Sequence, residues 1–287
     1  MKLKLVTALL WLLHWLPFRV MQWIAIPIGS LLFVLVKRRR KIGLRNLELC
    51  FPAWSEAQRR QVLRQHFIDM TSVMLGYSIL LHANPNRLRK LIRVEGMEHF
   101  TAQQDKAIIM LVPHFLGLDF GGVAYTMDHK GASMYAEQRG VFHEISLQIR
   151  SRFNDPVLIK RTDGIRPIVR TLKSKMPFYY LPDQDMGPQQ SIFSPFFGVP
   201  AATIPMLGKL AEMTNAVVIP VITTVGKGEF VSRYYPVWEN YPSGDLQADT
   251  DRMNRFIEEI AIEHPTQYYW LHRRFKTRPE GEASLYK

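Results

Sequence analysis

A chain of 287 residues that is 47% hydrophobic has room for one large domain, an appendage and a sizeable core. A formal net charge of +12 and a pI near 9.8 suit nucleic acid, an anionic membrane face, or an acidic protein or phosphorylated substrate. The single cysteine, Cys50, excludes an internal disulfide and any multi-cysteine zinc site, and fits a reducing compartment.

Residues 5–16 are nearly all apolar until Pro17 and Arg19 interrupt them. A second run, 20–36, carries no charge and ends on the basic block Lys37, Arg38, Arg39, Arg40 and Lys41. The second run is near the minimum for a membrane span, and the two together exceed it. The region is too long for a signal peptide, and a basic block follows it where small cleavage-site residues would be needed. The cations favour the cytoplasmic side and anionic headgroups, and Trp11, Trp15 and Trp23 suit an interface. We therefore expect a membrane anchor over 1–41 and a cytoplasmic-face domain over 42–287. A buried hairpin of core helices is the alternative.

Ser55-Glu56-Ala57-Gln58 is a capping-box start, and Leu63, Phe67, Met70, Met74 and Tyr77 recur at helical spacing until Asn84-Pro85-Asn86 ends the helix. Beyond residue 96 strand and helix patterns alternate. Strands are expected at 107–112, 132–135, 157–159, 178–181, 217–224 and 230–235. Helices are expected at 120–127, 142–153, 165–174 and 204–213, with a last one at 251–263. This order predicts an α/β fold with a mixed, largely parallel central sheet flanked by helices, and ligands at the carboxyl ends of the strands.

The strongest chemical signal follows the first of those strands. His114 sits at its end, and Asp119 lies five residues on, at the start of a helix. On one ideal helix these side chains would be about 140° apart, so they pair only if His114 is in the turn and Asp119 in the first helical turn. Gly117 permits the tight path, and Gly121 and Gly122 allow another segment or a substrate to approach. A carboxylate on one imidazole nitrogen leaves the other free as a base. The bland reading is a hydrogen-bonded structural histidine and a carboxylate that suits the helix dipole.

Arg150 and Arg152 near a helix end, and Lys160-Arg161 at a strand end, match phosphate or carboxylate geometry, or are simply solvated. Asp183 and Asp185 follow the strand at 178–181. They suit a metal, a helix cap or an arginine; with no further ligand cluster nearby, fixing substrate or the arginines is preferred over metal. The tail, 268–279, interleaves aromatics with Arg273, Arg274, Lys276 and Arg278, a mix that fits nucleic acid or a phosphate-bearing membrane surface. The apolar N-terminus favours the membrane.

Taken in order, His-x4-Asp, Leu158-Ile159-Lys160-Arg161, Pro182-Asp183-Gln184-Asp185-x-Gly187-Pro188 and Val218-Ile219-Pro220-Val221 resemble the four blocks of the glycerolipid and lysophospholipid acyltransferase superfamily. The finer resemblance is to the bacterial lipid A late acyltransferases, which add lauroyl or myristoyl chains. It rests on the N-terminal apolar span, Arg45-Asn46-Leu47 with Cys50-Phe51-Pro52, the loop Asp183-Gln184-Asp185, and the ending from Trp270 to Pro279. Some members carry glutamate at the position of Asp119, and either carboxylate can orient a histidine.

That resemblance implies an inner-membrane enzyme facing the cytoplasm. Its acyl donor would be acyl carrier protein, and its acceptor the hydroxyl of a 3-hydroxyacyl chain on a phosphorylated lipid A precursor. His114 would be the general base oriented by Asp119, and the acceptor hydroxyl would attack the thioester directly, with no acyl-enzyme and no cofactor. Arg150, Arg152, Arg161, Asp183, Asp185, Arg273 and Arg274 would serve substrate binding, with no metal and no nucleic acid involved. Three other readings stay open: a different lipid acceptor such as a lysophospholipid, a thioester hydrolase, and a non-catalytic membrane-tethered binder of acidic partners or nucleic acid.

Overall fold

The run 107–112 contains the central strand of an α/β chain whose computed structural model describes residues 2–137 and 140–286. Helices α1 (Lys2–Leu13), α2 (Phe18–Leu35), α3 (Lys37–Cys50), α4 (Glu56–His82) and α5 (Pro85–Leu91) come first. The body continues through β1 (Ile92–Glu95), α6 (Met97–Thr101), β2 (Ile108–Leu111), α7 (Leu118–Thr126), β3 (Ala132–Tyr135), α8 (Val141–Arg150) and β4 (Val157–Lys160). It then runs through α9 (Arg166–Lys173), β5 (Phe178–Tyr180), the hairpin β6 (Ile192–Phe196) and β7 (Val199–Thr203), and α10 (Met206–Thr214). Strands β8 (Val217–Val225) and β9 (Phe230–Tyr234) and helix α11 (Leu246–Glu263) close it.

Seven strands form one sheet in the order β1-β9-β8-β2-β5-β3-β4. All neighbours are parallel except β8 and β9, so the sheet is mixed and largely parallel, as expected. Strand β2 is buried along its whole length. Ile109 and Leu111 point into one core with Phe178, Val218, Leu210 and Ile257. Ile108 and Met110 point into another with Phe100, Tyr125 and Ile219. A strand covered on both faces reads as an unbroken apolar run, which is how its sequence reads. Strand β1 and the β6–β7 hairpin lack that signature. Val94 and Phe193 are exposed, and Pro195 and Pro200 sit inside the hairpin.

Helix α4 starts at the capping box: the Gln58 N–H donates to Ser55 Oγ at 3.2 Å, and the Ser55 N–H donates to Gln58 Oε1 at 2.8 Å. Along it lies α2. Phe18, Met21, Ala25, Gly29 and Phe33 form the buried stripe of α2, spaced at helical intervals. At Gly29 a Cβ would stand 2.6 Å from Ile68 Cα, so only glycine lets the two backbones approach this closely. The other side of α2 exposes Trp23, Ile26, Leu31, Val34 and Leu35; α1 exposes Leu9, Trp11 and Leu12, and the turn between them exposes Trp15. Helix α2 is the one helix, among the described residues, long and apolar enough to cross a membrane. An apolar face left bare on one side of two adjacent helices is a surface for lipid.

His66, fully buried on α4, links this helical layer to the segment after α11. Its Nδ1 donates to the Thr266 carbonyl at 2.8 Å, while Nε2 is buried without a partner. Burial pushes its pKa down to about 4, against a weaker upward pull from that hydrogen bond. A depressed folded-state pKa means stability fully present above the ordinary value of about 6.5 and lost as pH falls toward 4. At about 1.4 kcal/mol per unit, that is on the order of 3 kcal/mol. Denaturant unfolding in detergent at pH 7 and pH 4.5 should therefore show a marked loss at the lower pH. His66→Gln should be less stable at pH 7 and show a flatter pH dependence; an unchanged slope would exclude His66 as the source.

Candidate active site

The parallel register of β2 against β5 sets the site. Ile109, Met110 and Leu111 pair with Phe178, Tyr179 and Tyr180. The same offset of 69 carried three residues further brings His114 to Asp183. One Asp183 oxygen accepts the His114 backbone N–H at 2.9 Å, and the other lies 2.7 Å from the ring Nδ1. The carboxylate is 2% exposed and the histidine side chain 22% exposed, so the acid is sealed and the ring reaches solvent. Burial alone would raise the Asp183 pKa. The neighbouring His114, the hydrogen bonds from its ring and backbone, and Arg274 outweigh burial and hold the pKa below the ordinary carboxylate value. An ionised Asp183 puts the ring proton on Nδ1. Nε2, without a hydrogen-bond partner among the described residues, is left as the basic nitrogen.

The turn is clamped from the far end of the chain. The Tyr269 N–H donates to the His114 carbonyl and the Leu116 N–H to the Gln267 carbonyl, both at 2.9 Å, while Phe115 bridges Tyr268. Gly117 and Gly121 lie against β8. A Cβ at Gly117 would meet the Thr223 carbonyl at 2.5 Å, and one at Gly121 would meet Thr223 Oγ1 at 2.1 Å. The close approach expected of Gly121 is thus made to a neighbouring strand. Gly122 instead faces the Tyr179 ring with space to spare.

Asp119 does not orient His114. It accepts hydrogen bonds from the Tyr77 hydroxyl and, at 2.9 Å, from Arg150 Nε. The first turn of α7 carries its carboxylate to the junction with α4 and α8. A buried carboxylate there is costly unless paired, and Arg150 is the pair. Asp119 in turn raises the Arg150 pKa, keeping the guanidinium charged. Asp119 and Arg150 both line a narrow, mostly apolar cavity, with Leu118, Gly122, Val123, Ala132, Leu158 and Leu181 among its walls.

The other expected binding residues divide. Arg161 lies beside the loop after β5, with Nη1 3.6 Å from Met186 Sδ. Arg273 borders a basic cavity with Arg38, Lys41 and Arg45. Three are corrected to structural roles. Arg152 donates to the Leu80 and Ala83 carbonyls, closing the C-terminal end of α4. Arg274, 3% exposed, donates to the Ala202 carbonyl at 2.9 Å and to Thr203 Oγ1 at 2.7 Å, tying the tail to the β6–β7 hairpin. Asp185, also buried, accepts from the Gly187 and Thr277 backbone N–H groups and from the Thr277 hydroxyl. Asp185 thus has both oxygens on donors of the chain itself, and Arg274 has both terminal nitrogens on the hairpin.

Three contributors escaped the sequence reading: Tyr77, Tyr268 and His272. His272 Nε2 accepts the Asp185 backbone N–H at 3.1 Å. Burial, and next the proximity of His114, push its pKa down to about 4, so it stays neutral. Tyr268 is pushed well above the ordinary tyrosine value by burial and then by Asp183. Tyr77 was visible only as part of the stripe of α4, and Tyr268 and His272 only as aromatic and histidine content in the tail, without spacing that pointed to His114.

One ring nitrogen of His114 is thus held by a buried acid, and Leu118 and Leu181, close in sequence to His114 and Asp183, line the apolar cavity. The chain belongs to the bacterial lipid A biosynthesis acyltransferase family, whose family model matches residues 2–277. It is 33% identical to the lipid A biosynthesis lauroyltransferase of Escherichia coli K12, over 96% of this chain and 92% of that one. It is 32% identical to the palmitoleoyltransferase of the same organism, with the same coverage. Identity to the E. coli myristoyltransferase is 31%, over 88% of this chain and 79% of that one. Among solved structures, that of a 1-acyl-sn-glycerophosphate acyltransferase from Thermotoga maritima aligns with a TM-score of 0.36 and 14% identity, covering 83% of this chain and 97% of that one.

Two neighbouring acids should separate cleanly on mutation. Asp183→Asn keeps the shape but turns one acceptor into a donor facing a donor. We expect a fall in transfer rate of about 100-fold or more, comparable to losing a positioned acid–base group. In Asp185→Ala the three buried donors lose their acceptor, at about 1–3 kcal/mol each. Thermal melts and initial rates on both variants check this; a wild-type rate in a folded Asp183→Asn protein would remove Asp183 from the mechanism.

Proposed function

We propose that this acyltransferase moves a fatty acyl chain from acyl carrier protein to the hydroxyl of a 3-hydroxyacyl chain on a phosphorylated lipid A precursor. It would work at the cytoplasmic face of the inner membrane. The observation that carries the reading is the His114 ring: Nδ1 on the buried Asp183, Nε2 unpartnered, and part of the ring open to solvent. His114 Nε2 takes the acceptor's hydroxyl proton as that oxygen attacks the thioester carbonyl carbon. Collapse of the tetrahedral intermediate forms the ester and expels the thiolate, which receives the proton from the imidazolium. The oxyanion formed between these steps needs fixed donors or a cation.

Asp119 acts through Arg150. By keeping that guanidinium charged and in place on the cavity wall, it gives the acyl or acceptor group a fixed cation. The apolar walls suit a hydrocarbon chain. The net charge of +12 suits an acidic carrier protein, and the bare apolar face of α1 and α2 suits anchorage in lipid. Cys50 is a poor candidate for a covalent route. It is 5% exposed, and burial, then Glu258, push its pKa well above that of an ordinary thiol.

Purified protein supplied with acyl-carrier-protein donor and either lipid A precursor or a lysophospholipid tests the reading. Product should form on the precursor alone. His114→Ala should lose activity by about 1,000-fold or more with its melting curve intact, and Cys50→Ser should turn over as wild type. Normal transfer by folded His114→Ala, or free fatty acid as the only product, would overturn the mechanism.

A further inference from the structure

The five cations of 37–41 are not equivalent. Arg40 Nη1 donates to the Phe33 and Val34 carbonyls at 2.9 and 3.0 Å, satisfying the end of α2. Arg39 Nη1 donates to the Leu271 carbonyl at 3.0 Å. Both are used in holding the fold. Arg38, Lys41 and Arg45, spaced by three and four, lie on one face of α3. Together with Arg273, Ser284, Leu285 and Tyr286 they line a cavity of about 430 Å³.

Among the described residues, no carboxylate pairs with Arg38, Lys41 or Arg273. Arg45 alone has one, Glu48 at 2.8 Å, and its Nε is taken by the Leu285 carbonyl. Arg273 lies over the Tyr286 ring at 5.7 Å, with Nε buried and unpartnered. Among the described residues these four cations share a single carboxylate partner, so their mutual repulsion favours an anion in the hollow. Guanidinium forks match phosphate oxygens.

We propose that this cavity binds a phosphate group of the glycolipid acceptor, apart from the His114 turn. The proposal rests on the reading of that acceptor as a phosphorylated lipid A precursor. Two placements favour the lipid as the source. The cavity begins immediately after α2, at the level where headgroups would meet the apolar face of that helix. Arg273 lies four residues beyond Tyr269, whose N–H donates to the His114 carbonyl at 2.9 Å, so one lipid can present phosphate here and hydroxyl there. An acidic protein surface is a poorer fit to a hollow walled by the chain's own tail.

The test uses full-length Arg38→Gln/Lys41→Gln protein, with Lys106→Gln/Lys209→Gln as a charge-matched control. Kinetics compare the phosphorylated precursor with the same lipid after phosphatase treatment. The expected result is a KM for phosphorylated precursor raised tenfold or more in the first variant only. The KM for the acyl donor should not move, and the two proteins should become alike on dephosphorylated lipid. Flotation of His114→Ala protein with phosphatidylcholine vesicles, with or without precursor, reads binding without turnover. Because the apolar face of α1 and α2 holds lipid by itself, the readout is the increase in flotation that the precursor adds, which should require its phosphate and fall when Arg38→Gln/Lys41→Gln is added. An equal KM rise on both lipids would mean a general membrane-charge effect, and a rise confined to the donor would mean a carrier-protein site. Either outcome, or no change, overturns the proposal. Phosphate-dependent flotation with no turnover in any protein would instead sink the catalytic reading and leave this one standing.

Discussion

The constraint on which the site depends is the parallel pairing of β2 with β5. Two strands held in fixed register end side by side, so the residues just past their ends must meet. His114 and Asp183 are those residues. Neither needs a loop to search for the other, because sheet hydrogen bonding and burial on both faces have already fixed the spacing. A one-residue slip would turn every side chain of β2 to the opposite face and break both cores, so register and chemistry are locked together. The buried acid is tolerable only because it accepts both a backbone N–H and the ring.

A second tier of contacts holds that pair against the rest of the chain. The segment 266–277 contributes backbone to the His114 turn, His272 to the loop after β5, and Thr277 to Asp185. Asn46 on α3 donates to the carbonyls of Trp270 and His272 at 2.6 and 2.7 Å. The basic, aromatic ending therefore acts mainly as internal scaffolding. Its cations are mostly turned to carbonyls, and Arg273 is the one left facing a hollow.

This division explains how far the chain could be read before its structure was known. Strands β2, β5 and β8 were legible because double-sided burial writes an apolar run, and α4 because its cap and stripe are local. His114 was legible because it follows such a run. Its partner was not, since H-x4-D draws the eye to a carboxylate five residues away, whereas pairing across the sheet selects one 69 residues away. Had β2 and β5 been aligned as neighbours, 114 and 183 would have fallen together. Arg152, Arg274 and Asp185 were misread for a common reason. Charged residues in a motif look available, and the carbonyls and N–H groups that satisfy them belong to elements whose placement no spacing rule gives.

The N-terminal helices carry the same lesson into the membrane. Composition distinguishes an apolar helix from a polar one, but not a free span from a helix fastened along another. Gly29 decides the matter locally: its missing side chain lets α2 run against the Ile68 backbone of α4. A helix bound that way on one face can offer lipid only its other face, with Trp23, Leu31 and Leu35 outward. Any lipid contact made by that face is passed to α4, whose Tyr77 hydroxyl donates to Asp119. Lipid contact and the site are thus joined through a single helix. A free tether would leave the height of the site relative to lipid to chance; a helix docked along α4 fixes the distance between its bare apolar face and the His114 turn.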